Sequence, residues 1–304
     1  MKANKEIKYI GVDIGGSHIT VAEVNIFGLS VKQGDKARVK VDSKDTRQHI
    51  LSIWGDVIKQ VMGNYDPRYI KLGLAMPGPF DYQLGISYIK GLDKYDALYG
   101  VNIREALSAA LHILPENILF RNDAEAFLHA EVLSLAIPKS EKVIGVTLGT
   151  GLGSAKSLAG VTHDVFRAIT PMGEGIAEDY ISSRWFAKRY RELTGKILVN
   201  GVEGLLENGE ITIREIIFKE FGVNLGKFLN DFGFDEKANC IVIGGNIARC
   251  WEYFIDEVRK GISNKEITLY QSALWEDAAL VGAASLFEGH DEIIPSPIAQ
   301  SVLN

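Results

Sequence analysis

Cysteine is scarce in this chain of 304 residues, with Cys240 and Cys250 the whole supply. One falls in an apolar run and the other in a helix-like stretch, so the pattern excludes a disulfide framework and predicts reduced thiols in the core. An excess of positive charge is missing as well. The 33 Lys and Arg are outnumbered by 39 Asp and Glu, for a formal net charge of -6, and no basic stripe forms. A nucleic-acid-binding surface needs clustered cations, so none is expected. No apolar run approaches the length of a membrane span. The opening Met1-Lys2-Ala3-Asn4-Lys5-Glu6 leads into the first β-rich run without the apolar stretch of a secretory signal. The expectation is a cytoplasmic protein with no membrane partner. Low-complexity tracts and long linkers are also absent. What remains is a chain long enough for two lobes, whose 46% hydrophobic residues can fill two cores.

The most informative segment is Asp13-Ile14-Gly15-Gly16-Ser17, which stands between β-rich runs at 7–12 and 19–25. Gly15 and Gly16 can take backbone angles closed to other residues, and without side chains they let a bulky anion approach main-chain N–H groups. Ser17 adds a hydroxyl donor, and Asp13 a carboxylate that can hold a water on Mg²⁺. Taken alone, the segment fits an ordinary Gly-Gly hairpin equally well. It is not Gly-x-Gly-x-x-Gly, it leads into a strand, and it lacks the Gly-Lys-Ser/Thr ending of a P-loop.

The same chemistry recurs at Gly149-Thr150-Gly151-Leu152-Gly153-Ser154, after the β-rich run that starts at Val143. Two such turns facing one another would clamp a polyphosphate, and the echo is a signal of duplication. A third pair, Gly244-Gly245, ends another apolar run and precedes a helix-like stretch at 247–254. There a flat base or ribose would lie against backbone.

Between these turns the pattern reads strand at 31–41, amphipathic helix at 46–62 and strand at 70–75. Pro77-Gly78-Pro79 then makes a rigid loop at the carboxyl end of a strand, where α/β sheets bind ligands. A helix at 103–111, a short strand at 118–121 and a helix from Asp123 to about 135 follow. Near the end, residues 276–288 show helical spacing with small residues, Ala278, Ala279, Gly282, Ala283 and Ala284, that permit close packing.

This order of motifs resembles the ROK family (repressors, open reading frames and sugar kinases) within the sugar kinase, actin and heat-shock ATPase superfamily. The resemblance covers nearly the whole chain and rests on both phosphate turns, the loop Ala75-Met76-Pro77-Gly78-Pro79-Phe80-Asp81, the run Phe120-Arg121-Asn122-Asp123-Ala124-Glu125-Ala126, the segment Gly175-Ile176-Ala177-Glu178-Asp179-Tyr180-Ile181-Ser182 and Gly244-Gly245. It implies an α/β, two-lobed actin-like ATPase fold of ribonuclease H type, with a catalytic cleft between the lobes. The expected smaller lobe comprises residues 1–121 and about 277–304, and the larger one residues 122–276. It also implies an ATP- and Mg²⁺-dependent kinase acting on a small-molecule sugar, a hexose or an N-acylated amino sugar, with glucokinase-like activity first. The chain could act as a homodimer.

Phosphoryl transfer to a hydroxyl needs a nucleotide clamp, Mg²⁺ and a carboxylate that accepts the hydroxyl proton. Asp123 is the candidate base. It is placed at a helix N-terminus that favours its ionised form, and Asn122 beside it can donate to and accept from a sugar hydroxyl. Either residue could instead simply cap the helix. The resemblance assigns Asp13, Gly15, Gly16, Ser17, Gly149, Thr150 and Gly151 to the phosphates, with Asp13 on Mg²⁺ through water, and Gly244 and Gly245 to adenosine. It gives Gly78 and Glu178 to the sugar. A solvated Glu178 is the rival reading, and Glu174, one turn earlier, is a competitor for its role.

Two family features are missing. Many members carry Glu-x-Gly-His and Cys-x-Cys-Gly-x-x-Gly-Cys motifs before the Glu that matches Glu178, where this chain has Val161-Thr162-His163-Asp164-Val165 and no cysteine. No structural zinc is expected, since two separate cysteines make no closed tetrahedral site. His163 is a secondary candidate for the sugar, against the plain reading of an exposed or packed histidine. Three functional classes follow: a sugar kinase, a catalytically silent sugar or nucleotide-binding regulator, and an actin-like filament protein. Only about eight residues precede the first motif, which disfavours the DNA-binding domain that the family's repressors carry.

Overall fold

The computed structural model describes residues 6–92 and 94–288. The remainder of the expected smaller lobe, residues 1–5 and 289–304, lies outside the described residues. The chain opens with β1 (Lys8–Ile14), β2 (His18–Asn25) and β3 (Ser30–Lys40), an antiparallel meander. Then come α1 (Arg47–Met62), β4 (Ile70–Met76), the two-residue pair β5 (Phe80–Asp81) and β6 (Ile86–Ser87), α2 (Ile103–Leu111) and β7 (Ile118–Asn122). β4 and β7 join parallel to β1, giving the order β3-β2-β1-β4-β7.

α3 (Asp123–Ser134) follows directly, and then the pattern repeats. β8 (Val143–Leu148), β9 (Leu152–Leu158) and β10 (Val161–Asp164) form a second meander. The short pair β11 (Pro171–Met172) and β12 (Gly175–Ile176) leads into α4 (Ala177–Tyr180), α5 (Ser183–Thr194), α6 (Gly201–Asn208) and the long α7 (Ile211–Glu236). β13 (Cys240–Gly244), α8 (Trp251–Gly261) and β14 (Thr268–Gln271) complete a second sheet, ordered β10-β9-β8-β13-β14. Both sheets thus share one plan, a meander whose first strand also heads a parallel row. The echo between the two glycine turns is the local trace of this duplication.

α9 (Ala278–Ala284) returns to the first sheet, where glycine lets backbones meet. A Cβ on Gly11 would lie 2.2 Å from the Leu280 carbonyl oxygen, and one on Gly73 would lie 2.0 Å from that of Ala283. The chain leaves the first sheet at Asn122, and α3 packs on the second sheet through Leu128, whose Cδ1 lies 2.6 Å from where Gly145 would carry a Cβ. α3 and α9 cross with Gly282 against the Ala126 backbone. α3 is therefore covered on several sides, with Ala124, Ala126, Phe127, Leu128, Ala130, Glu131 and Val132 buried.

Each sheet has its own core. On the first, Trp54 of α1 is fully buried and meets Tyr95 edge-on, with ring centroids 5.5 Å apart, a geometry worth about 0.5–1.5 kcal/mol beyond area burial. On the second, Phe218 and Phe221 of α7 pack on Phe186 of α5, and Phe254 of α8 meets Phe221 edge-on. Sequence periodicity does not reveal α7, because the glycines Gly222 and Gly226 interrupt its buried face and apolar Val223 and Phe234 lie exposed on the opposite side. A Cβ on Gly222 would lie 2.7 Å from the Phe254 carbonyl oxygen, so α7 and α8 cross almost in backbone contact.

Candidate active site

Within each sheet the parallel strands run in one direction, and their carboxyl ends carry the sequence-predicted residues. β1 ends in Asp13 and the first turn, β4 in the Gly78 loop, β7 in Asn122, β8 in the second turn and β13 in Gly244. This is the edge at which open α/β sheets bind ligands.

Neutral groups brace the first turn. The Gly15 N–H donates to the His18 carbonyl at 2.9 Å, the Val41 N–H to the Ser17 carbonyl at 2.9 Å, and the Tyr95 hydroxyl to the Gly15 carbonyl at 2.6 Å. Burial pushes the Tyr95 phenol up, and the nearby Asp13 adds to the shift. Gly15 and Gly16 do not use positive φ angles, contrary to the expectation that they supply a special backbone shape. A Cβ on Gly16 would meet nothing within 4 Å, so the feature that glycine preserves there is open space above the main chain.

Asn122 caps α3. Its side-chain oxygen accepts from the Ala124 N–H at 2.8 Å and the Glu125 N–H at 3.2 Å, and its Nδ2 donates to the Tyr82 hydroxyl at 3.2 Å. That hydroxyl in turn donates to the Met76 carbonyl at 3.1 Å. The capping reading of Asn122 thus describes its oxygen, which leaves less of the amide for a sugar than its chemistry alone allows. Asp123 is exposed at the first position of α3, and its Oδ1 accepts from the Ala124 N–H at 2.9 Å. Among the described residues its second carboxylate oxygen accepts no hydrogen bond.

The second sheet brings Asp164 to the same place. It ends β10, accepts from the Phe166 N–H at 3.1 Å, and is pushed up to about 6 by burial, with the charges of Asp123 and Glu125 adding to the shift. Phe166 is 61% exposed, and its ring edge lies 3.8 Å from where Gly78 would carry a Cβ, so an aromatic face from one half meets the Pro-Gly loop of the other. Burial raises the Tyr82 phenol, and Asp123, Asp164 and Glu125 raise it further against the opposing bond from Asn122. His163 is exposed on β10, where its charge acts on Glu125. Sequence reasoning singled out His163 and passed over its neighbours Asp164 and Phe166. The one signal available was an aspartate ending a β-rich run just before an aromatic residue.

Charged groups brace the second turn. Glu178 accepts from the Leu152 N–H at 2.9 Å and pairs with Arg184, while the Ser183 N–H donates to the Gly149 carbonyl at 2.8 Å. Both Glu178 oxygens are therefore engaged, and a Cβ on Gly151 would lie 2.6 Å from one of them. In this geometry Glu178 orders the second glycine turn, and any further donor would have to displace Arg184 to reach it. Glu174 is not on the Glu178 helix but exposed in the turn between β11 and β12, so the idea that they share a helix face is corrected. Thr150 is exposed, and a Cβ on Gly149 would meet nothing within 4 Å.

Gly245 has φ +85°, and a Cβ there would lie 2.4 Å from the Leu148 carbonyl oxygen. A Cβ on Gly244 would lie 2.4 Å from the Phe127 ring. These glycines set the end of β13 against Phe127 of α3 and its following turn against Leu148 at the end of β8.

The Asp13 side chain makes no hydrogen bond or ion pair among the described residues. Burial pushes its carboxyl up to about 6, Asp123 raises it further, and Arg38 and Lys36 oppose the shift. A hard divalent cation suits this donor, because Mg²⁺ takes one or two carboxylates and fills its remaining positions with water and phosphate oxygens. Among the described residues no three His, Cys, Asp or Glu side chains are grouped to hold a metal by themselves, and no helix is long and apolar enough to cross a membrane. A cavity of 830 Å³ lies between α5 and α7, lined by Arg184, Arg189 and Glu220 among others, and neither Asp13 nor Asp123 borders it.

With the two repeated sheets and the carboxylates between them described, the comparisons with known proteins identify the class. The model of the ROK family matches residues 9–163, and the chain belongs to that family. Its sequence is 22% identical to an N-acetyl-D-glucosamine kinase of Histophilus somni over 323 residues, covering 93% of this chain and 100% of the relative. Among solved structures, a ROK family glucokinase from Streptomyces griseus, in complex with glucose and AMPPNP, is similar with a TM-score of 0.72 and 21% identity, covering 92% of this chain and 98% of that one. A ROK family transcriptional regulator, a homologue of the E. coli MLC protein, is similar with a TM-score of 0.73 and 16% identity over 92% of this chain and 78% of that one. The two-lobed actin-like fold follows from these likenesses.

Proposed function

We propose that this chain transfers the terminal phosphoryl group of ATP to a hydroxyl of a hexose or an N-acylated amino sugar, with Asp123 as general base. One observation carries the reading. Asp123 stands exposed with a free carboxylate oxygen, its charge felt by Asp13 of the first sheet and Asp164 of the second, at the edge where both glycine turns lie. The names of the relatives, an N-acetyl-D-glucosamine kinase and a glucokinase, support the acceptor class.

In this mechanism the described residues up to 121, with 277–288, form one lobe and the remaining described chain the other. Gly15, Gly16 and Ser17 on one side, and Gly149, Thr150 and Gly151 on the other, present N–H and hydroxyl donors to the phosphates, and the backbone beside Gly244 and Gly245 receives the adenosine. Magnesium, when bound, supplies positive charge that offsets that of the phosphates, and Asp13 is the residue that would hold it through water. The acceptor lies between the Gly78 loop and the Phe166 face, oriented by Asn122 and by the Asp164 oxygen not used by Phe166. Asp123 takes the proton of the attacking hydroxyl as the bond to phosphorus forms. Closure of the lobes excludes water, which would otherwise compete as acceptor.

A coupled ADP-release screen over hexoses and N-acyl amino sugars tests the reading. The expected result is turnover that depends on one sugar class. The likeness to a regulator supports a second reading, a silent sugar sensor, which predicts saturable sugar binding with no ADP release for any sugar.

A further inference from the structure

The three strands of the first meander align a row of side chains that the proposed chemistry has not used. Asp13 of β1 pairs with Thr20 of β2, and Thr20 pairs with Arg38 of β3. Residues paired across a sheet share a face, so Asp13, Thr20 and Arg38 point the same way, with neighbouring strands about 4.8 Å apart. Two residues along, His18 pairs with Lys40 beside the Gly15 to Ser17 turn; two residues the other way, Ala22 pairs with Lys36. The edge strand thus carries three cations on the face of the phosphate turn.

Their states differ. Lys36 is held by Asp277 at 2.8 Å. The Arg38 guanidinium makes no hydrogen bond and no ion pair among the described residues, although its charge is felt at both Asp13 and His18. A guanidinium offers five donors in a planar fork that matches the spacing of phosphate oxygens, which a lysine cannot reproduce. Here the fork is unfilled, one strand away from Thr20 and two from the carboxylate expected to meet the donor's metal. The plain alternative is a solvated arginine on an exposed edge strand.

We propose that Arg38 contacts the terminal phosphoryl group of the donor and so distinguishes a triphosphate from a diphosphate. The inference rests on the kinase reading for the identity of the donor but not for its test, which needs no sugar. Calorimetry would compare wild type, Arg38→Met and Arg38→Lys, each titrated with ADP and with AMPPNP in the presence of Mg²⁺. The expected result for Arg38→Met is AMPPNP affinity lowered by roughly tenfold to a hundredfold, as for a lost charge-assisted bond, with ADP affinity within about twofold of wild type. Arg38→Lys should recover part of the loss, because it restores the charge without the fork. Equal losses for both nucleotides in the Met variant, or no loss for either, would overturn the proposal. Wild type that binds AMPPNP yet phosphorylates no sugar would sink the acceptor assignment while leaving the Arg38 result standing.

Discussion

The two sheets share a strand order but not the means by which they hold their glycine turns. In the first, a phenol and backbone groups fasten the turn, and the edge strand beside it carries the unpaired cation Arg38. In the second, a carboxylate touches the turn directly and is itself paired with Arg184. A neutral brace leaves the field at the first turn to Asp13 and the edge-strand cations. A carboxylate brace places negative charge where phosphate is expected, which is workable only while Arg184 offsets it. Duplication therefore supplied one frame twice, and the loops differentiated it into a cation-bordered side and a carboxylate-braced side.

The largest expected effect comes from the residue between the two halves. Asp123→Asn keeps the shape and the bond to the Ala124 N–H but removes the proton acceptor, so sugar-dependent ADP release should fall by about a hundredfold or more, with AMPPNP affinity unchanged. Wild-type turnover in this variant would return the base to another group.

A second experiment breaks the turns apart by stability. Gly245→Ala places a Cβ against the Leu148 backbone at a positive φ, which should cost roughly 1–3 kcal/mol or more and show in a denaturant midpoint. Gly16→Ala meets open space and should leave the midpoint within about 0.5 kcal/mol while lowering nucleotide affinity. Equal destabilisation by both would mean that the first turn is a packing element after all.

Glu178→Ala separates the two roles of the carboxylate brace. Loss of the Leu152 contact should weaken ADP by about tenfold and leave the affinity for the best sugar nearly unchanged. The opposite pattern, with sugar weakened and ADP intact, would give Glu178 to the acceptor.

The smallest effect is a pH dependence. Asp164 is pushed up to about 6, so the folded chain holds this proton more tightly than the unfolded chain does. The stability from that proton is present in acid and is lost as pH rises from the ordinary aspartate range through about 6. Asp164→Asn should therefore melt close to wild type near pH 4 and above it near pH 7. A constant difference in melting temperature between the two would show that this carboxyl titrates normally.

Much of the frame was legible because the strands are dense in apolar and β-branched residues, α1 and α2 carry a helical period, and α3 starts at the capping pair Asn122-Asp123. Asp13, Gly78 and Asp123 were legible for a related reason, since each sits where a periodic run ends. α7 escaped because exposed apolar residues such as Val223 and Phe234 stand opposite its buried face while Gly222 and Gly226 interrupt that face, which together blur the period. Tyr82, Tyr95, Asp164, Phe166 and Arg38 escaped for another cause. Each belongs to a segment that looks ordinary on its own, and only strand register or the meeting of two sheets brings it to the others.

The crossing of α9 onto the first sheet sets an order for assembly. Gly11 and Gly73 form a slot without side chains, and its occupants, Leu280 and Ala283, are among the last described residues to leave a ribosome. At about 5–20 residues per second, the slot waits on the order of tens of seconds for its helix. During that interval the nascent first half has its own core but a bare groove of backbone, so a truncation just before Ala278 should leave a species that needs a chaperone more than it needs a ligand.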